Sequence, residues 1–169
     1  MGDDWQRRVD EVWTAASDLG DREVIGRIDA LAAELPADDP RGPFEAAGAR
    51  DSAGLEEEAE PRYRRALELG LSGRARVEAH IQLASTVRNL GRPRDSLALL
   101  DAVAADAGDL ADAVAAFRAL ALASSGESDA AASVALVALA PHLTQYRRAV
   151  DAYARELVVP TDDGPLTGA

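Results

Sequence analysis

The chain contains no cysteine and no lysine, and it has few aromatic residues. Its 169 residues include 2 Trp, 3 Tyr and 2 Phe. Without cysteine there is neither a disulfide framework nor thiolate chemistry. Because aromatic bulk is scarce and alanine is abundant, the core must be closed by close approach of helix backbones. No window of alternating β-branched residues predicts a strand. The composition therefore favours an all-α protein.

Targeting and membrane signals are also missing from the sequence. The N-terminal segment Met-Gly-Asp-Asp-Trp is acidic and lacks the apolar region of a secretory signal. No apolar run reaches the length that spans a bilayer. The net charge is -12, whereas non-specific nucleic-acid binding needs a positive field. We therefore expect a cytoplasmic protein with neither a membrane nor a nucleic-acid partner.

A glycine recurs along the chain with the same companions. Gly20, Gly54, Gly91 and Gly126 are separated by 34, 37 and 35 residues. A repeat of this length predicts stacked helical hairpins. The residues 5, 9 and 12 positions after each glycine are Ala59, Tyr63 and Ala66 for Gly54, Ser96, Leu100 and Val103 for Gly91, Ala131, Ala135 and Ala138 for Gly126, and, more weakly, Ile25, Asp29 and Ala32 for Gly20.

These signals predict one domain over residues 1–159 and a flexible tail over 160–169. Helical periodicity and the positions of Gly and Pro place the hairpins at about 5–35, 40–69, 74–105 and 110–139, followed by a helix over 142–158. That last helix has one apolar and one charged face, as expected of a helix that caps the stack. Its apolar face consists of Leu143, Tyr146, Val150, Tyr153 and Leu157.

The repeat resembles the tetratricopeptide repeat, a helix–turn–helix unit of about 34 residues. A small residue stands seven positions before each turn glycine, at Ala47, Ala84 and Ala119. The resemblance covers residues 5–158 and is closest to short bacterial proteins of this family. Trp13 and Asp29 depart from the pattern, so the leading hairpin is divergent. The resemblance implies an all-α, right-handed superhelix of antiparallel helix hairpins, with about three repeats and a capping helix.

In this family the first helices of successive hairpins line a concave groove. The corresponding positions lie 13, 9, 6 and 2 residues before each turn glycine, and they predict a groove that is polar at one end and apolar at the other. Such a groove suits an amphipathic helix or an extended peptide. The candidate binding residues are Glu45, Ser52, Glu78, Gln82, Ser85, Arg88, Asn89, Phe117 and Leu120.

The same residues have structural interpretations. The polar stripe on residues 78–89 is also typical of a solvated helix face, and Arg88 and Asn89 are placed to cap the turn at Gly91. Phe117 and Leu120 also suit the core. The acidic run over residues 56–60 fits a helix start, where carboxylates favour the helix dipole.

No constellation in the sequence predicts chemistry. His80 and His142 each lack a second ligand four residues on, and no nucleophile or phosphate-loop motif is present. We therefore expect no catalytic residues, no metal and no cofactor. The predicted function is a protein–protein interaction module with a peptide or protein partner. One alternative is a self-associating scaffold, a homodimer formed through terminal helices that carry Trp5 and Trp13. A more distant one is an enzyme or small-molecule binder that uses the groove.

Overall fold

The computed structural model describes residues 2–159, with side chains from residue 4 onward; the predicted tail over 160–169 lies outside the described residues. Over residues 2–159 the chain forms nine α-helices and no strand, so the expected all-α fold is confirmed. The helices are α1 (Gly2–Thr14), α2 (Asp21–Ala32), α3 (Arg41–Ser52), α4 (Glu56–Glu68), α5 (Gly73–Asn89), α6 (Pro93–Asp101), α7 (Ala111–Ser124), α8 (Ser128–Leu139) and α9 (Arg147–Glu156).

The helices stack as successive antiparallel hairpins. Each helix contacts the next along the chain, from α1 to α9. The first helices of neighbouring hairpins also contact one another, α3 with α5 and α5 with α7. Each hairpin therefore buries its apolar face against its neighbours, as a repeat protein requires. Among the described helices, none is both long and apolar enough to cross a bilayer.

Three of the four repeat glycines perform the same backbone task. Gly54, Gly91 and Gly126 have φ of 71°, 79° and 84°, the left-handed region that favours glycine. In each case the next residue donates its N–H to the carbonyl five residues back, for example Arg92 to Val87 at 3.0 Å. This is the Schellman turn that ends a helix and starts the next one.

Gly20 differs from the other three glycines. Its φ is -82°, in extended backbone at the start of α2, and α1 already ends at Thr14. The connection between α1 and α2 is therefore built differently from the three turns that follow it. As a consequence, positions on α1 cannot be counted back from Gly20 as they can from Gly54 or Gly91.

The small residues of the repeat lie where helices cross. Ala47 and Ala84 are completely buried, and Ala119 is nearly so. Ala84 belongs to a cluster with Leu100 and Val103, which connects α5 to the end of α6. Since a methyl group occupies each of these positions, the helices can pack closely without large aromatic side chains.

The last helix begins later than the sequence predicts. A short 3-10 turn over Ala140–His142 is followed by extended backbone at Leu143, and Tyr146 takes a left-handed φ of 63°. The α-helix starts only at Arg147, whose Nε donates to the carbonyl of Ala140 at 3.3 Å. Leu143 and Tyr146 therefore precede the helix and do not share one helical face with the rest of the predicted apolar stripe. Tyr146 is 77% exposed.

Candidate functional site

A groove with a volume of about 640 Å³ opens along the first helices of the first three hairpins. We call it the polar groove, because carboxylates, amides and hydroxyls make up most of its wall. Three helices supply its lining: Gln6, Asp10 and Trp13 from α1, Phe44, Glu45, Gly48, Asp51 and Ser52 from α3, and Glu78, Gln82, Ser85 and Asn89 from α5.

The α5 wall carries the polar stripe of the sequence analysis. Its four groove residues are spaced as one helix face, and the opposite side of α5 is buried. Six of the nine candidate residues meet in the polar groove. They are Glu45, Ser52, Glu78, Gln82, Ser85 and Asn89.

The other three candidates lie outside the polar groove. Arg88 donates to Asn89 Oδ1 at 3.0 Å. Phe117 packs against the apolar core cluster that α5, α6 and α7 share, and so is part of the core. Leu120 is 46% exposed. The predicted apolar continuation of the groove onto α7 is therefore not part of this site.

The wall that α1 contributes was missed in the sequence. Counting back from Gly20 points to Arg7, Glu11, Thr14 and Asp18. The first three lie one position after the residues that line the groove, and Asp18 lies beyond the end of α1. The offset arises because α1 ends six residues before Gly20. A usable signal was nevertheless present, since Trp13 stands where the family has a small residue.

Trp13 joins α1 to α3 inside the polar groove. Its indole Nε1 donates to Glu45 Oε2 at 2.8 Å. A methyl group at Gly48 would lie 3.4 Å from the Trp13 ring, so the glycine leaves room for the indole against α3. Trp13 thus substitutes for the small residue of a regular repeat by packing against a glycine of the next hairpin.

Asp51 joins α3 to α4 and α5 at the edge of the same groove. It accepts hydrogen bonds from Thr86 Oγ1 at 2.9 Å and from the Tyr63 hydroxyl at 3.3 Å. Burial raises the pKa of Asp51, and the two hydrogen bonds only partly oppose it. Burial, together with the nearby Asp51 carboxylate, also raises the pKa of Tyr63.

Glu45 is a half-buried carboxylate in the middle helix of the groove wall. Burial raises its pKa, the Trp13 hydrogen bond opposes this, and the negative charges of Asp10 and Glu78 raise it further. The groove therefore gathers acidic groups that repel one another.

The two histidines lie away from the groove. His80 Nδ1 is 2.8 Å from the Arg76 carbonyl, and burial lowers its pKa. His142 Nε2 is 2.9 Å from Asp112 Oδ2 on α7. Across the described part of the chain, no three His, Asp or Glu residues converge as a metal-binding group.

The fold agrees with the family comparison. A family model described as Tetratrico peptide repeat matches residues 40–157. The match spans more than half of the chain, which therefore belongs to the tetratricopeptide repeat family. It starts just before α3, so the divergent α1 and α2 lie outside it. Neither the curated proteins nor the solved structures that were compared include a significant match. Repeats of this family generally mediate protein–protein interactions.

Proposed function

We propose that this protein is a non-catalytic interaction module that binds a peptide segment of a partner protein in the polar groove. The observation that carries the proposal is the groove itself: three successive first helices direct polar side chains into one concavity of about 640 Å³. Its hydrogen-bonding groups are suited to an extended or helical backbone.

Blocking the groove tests the proposal. Ser85 lies in the middle of the α5 wall and is only half-buried, so Ser85→Trp places an indole in the cavity. Ala98 is exposed on α6, and Ala98→Trp adds the same side chain away from the groove. Both variants and the unmodified protein are immobilised, and the proteins each retains from native lysate are compared by mass spectrometry.

The proposal predicts that at least one protein is retained by the unmodified chain and by Ala98→Trp, but not by Ser85→Trp. Circular dichroism establishes that all three are equally helical. If Ser85→Trp retains the same proteins as Ala98→Trp, partner binding in the groove is refuted.

Self-association is a second candidate, favoured by apolar side chains at the C-terminal end of the stack. Tyr153 is 66% exposed and Leu157 is also exposed, both on or beside α9. The N-terminal tryptophans do not favour it. Trp5 is 3% exposed and donates from Nε1 to the Leu31 carbonyl at 2.8 Å, and Trp13 packs within the groove.

Light scattering after size exclusion tests this candidate. A dimer formed through α9 dissociates when Tyr153→Arg places a charge in the apolar face, while Arg148→Glu, a charge change at another exposed α9 residue, serves for comparison. A monomer mass for the unmodified chain at every micromolar concentration contradicts self-association.

A further inference from the structure

Carboxylates dominate the charge of the polar groove. Asp10 from α1, Glu45 and Asp51 from α3, and Glu78 from α5 all line it. The chain has 18 basic residues, all arginine, yet none is among the lining residues that the structure describes. The wall is therefore negative along the first helices of three successive hairpins.

Some carboxylates outside the groove form ion pairs with arginine. Asp29 binds the guanidinium of Arg50 through two contacts of 2.8 Å, and Glu60 binds Arg92. These ion pairs lower the pKa of both carboxylates. With 18 arginines for 30 acidic residues, arginine cannot pair every carboxylate, and Glu78 is the one acid of the described groove lining that has an arginine partner.

Inside the groove the partners are neutral donors. Asp10 accepts from the Gln6 amide at 3.0 Å, Glu45 accepts from the Trp13 indole, and Asp51 accepts from two hydroxyl groups. Glu78 is the exception, since Arg74 contacts it at 2.8 Å. Neutral donors orient a carboxylate without cancelling its charge, so three of the four acids remain uncompensated.

An unpaired acceptor lies in the same wall. The Oε1 atom of Gln82 is buried and accepts no hydrogen bond from the described residues. A buried carbonyl oxygen without a hydrogen bond is energetically unfavourable. A ligand that donates a hydrogen bond to the Gln82 side chain would remove this cost. The described lining of the groove therefore contains no basic residue, and this one buried acceptor has no donor.

We propose that the polar groove selects a basic segment of a partner protein, in which an arginine or lysine side chain lies between Asp10, Glu45 and Asp51. A guanidinium supplies both the missing charge and several donors. Trp13 and Phe44, which line the same cavity, offer apolar surface to the side-chain stem. This inference rests on the proposed function and adds the chemical class of the partner.

Selection from a peptide library tests it. The 169-residue chain is offered displayed random dodecapeptides. Enriched sequences are synthesised in two forms, one as selected and one with citrulline, the neutral isostere, in place of arginine. Affinities are measured by fluorescence anisotropy at about 50 and about 300 mM salt, because screening weakens charge pairing. The same titrations are made with Glu45→Gln and with Glu57→Gln, which removes an equal charge from an exposed position on α4.

The proposal predicts enrichment of arginine or lysine, and about tenfold weaker binding when either the central arginine or Glu45 loses its charge. Glu57→Gln should change the affinity by less than about twofold. Two outcomes overturn the proposal: equal weakening by both variants, which indicates general attraction to an acidic protein, or no enrichment of basic residues.

The result also separates this inference from the proposed function. Enriched neutral or acidic peptides that Ser85→Trp excludes would refute the basic partner while supporting peptide binding in the groove. If no peptide is enriched, the basic-segment proposal fails, and the lysate comparison of Ser85→Trp with Ala98→Trp decides groove binding independently.

Discussion

Glu45 shows how a single residue can be unfavourable for stability and useful for binding. It lies in the groove wall, where burial and two neighbouring acids disfavour its charged form. Its pKa is raised in the folded chain. At pH values between the ordinary glutamate pKa and the raised one, Glu45 is therefore protonated in the folded chain and ionised in the unfolded chain. Stability therefore falls as pH rises through that interval.

Glu45→Gln removes this titration. We expect its stability relative to the unmodified protein to increase with pH from about pH 4 and to level off once Glu45 is ionised in the folded state. Urea unfolding between about pH 4 and pH 8 measures it, with Glu57→Gln as the exposed comparison. A difference that stays constant with pH, or declines, contradicts the burial of Glu45.

Two glycines should respond oppositely to the same substitution. Gly91 has φ of 79°, so Gly91→Ala forces an L-residue into the left-handed region and should cost about 1–2 kcal/mol. Gly26 lies inside α2, where an added methyl group meets nothing within 4 Å, so Gly26→Ala should stabilise by about 0.5–1 kcal/mol. Chemical denaturation of the pair checks both signs. Equal effects would contradict the turn assigned to Gly91.

At the scale of elements, Arg50 explains why the leading hairpin departs from the repeat pattern. Arg50 on α3 is only 8% exposed. It donates to Asp29 on α2, to the Ala46 carbonyl at 2.9 Å and to Glu58 on α4 at 3.3 Å. Asp29 thus replaces the large residue of a regular repeat with one half of an ion pair that joins three helices.

Arg50→Met tests this link, since it keeps the apolar stem and removes the donors. We expect a loss of about 1–2 kcal/mol, moderated because both carboxylates remain partly hydrated. Arg22→Met, at an exposed position of α2, gives the reference value. Indistinguishable unfolding midpoints would mean that the ion pair does not hold α2 to α3.

Close packing of α5 against the following helix depends on Ala84. Ala84→Leu adds a branched side chain to a completely buried position beside Leu100 and Val103, and should cost about 1–3 kcal/mol by overpacking. Ala98→Leu on the exposed face of α6 controls for the change in residue type. Thermal unfolding of the two variants should therefore separate them clearly, and a neutral Ala84→Leu would contradict the packing described here.

The central hairpins could be predicted from the sequence because their signals are local. In each central hairpin, a glycine in the left-handed conformation ends the first helix seven residues after a buried alanine. The positions of the polar stripe on α5 can therefore be counted back from Gly91 alone. The ends of the chain follow other rules. The groove wall on α1 depends on Trp13 packing against Gly48, and the start of α9 depends on a backbone break at Tyr146. Neither feature produces a periodic pattern in the sequence.

At the scale of the whole molecule, the distribution of charge affects partner binding more than the net charge does. The net charge of -12 is spread over a surface on which many acids are paired with arginine. In the polar groove, Asp10, Glu45 and Asp51 instead accept hydrogen bonds from neutral donors. A concave negative surface attracts a complementary segment and raises its association rate, and added salt reduces this effect.

The most direct test follows the two tryptophan indole N–H signals by NMR during a titration with an arginine-containing dodecapeptide. The Trp13 indole lies in the polar groove beside Glu45, whereas the Trp5 indole is buried against the Leu31 carbonyl between α1 and α2. We expect a saturable shift of the Trp13 signal that requires about tenfold more of the citrulline peptide, while the Trp5 signal stays in place. A bound peptide that moves neither signal, or both equally, would contradict binding in the groove.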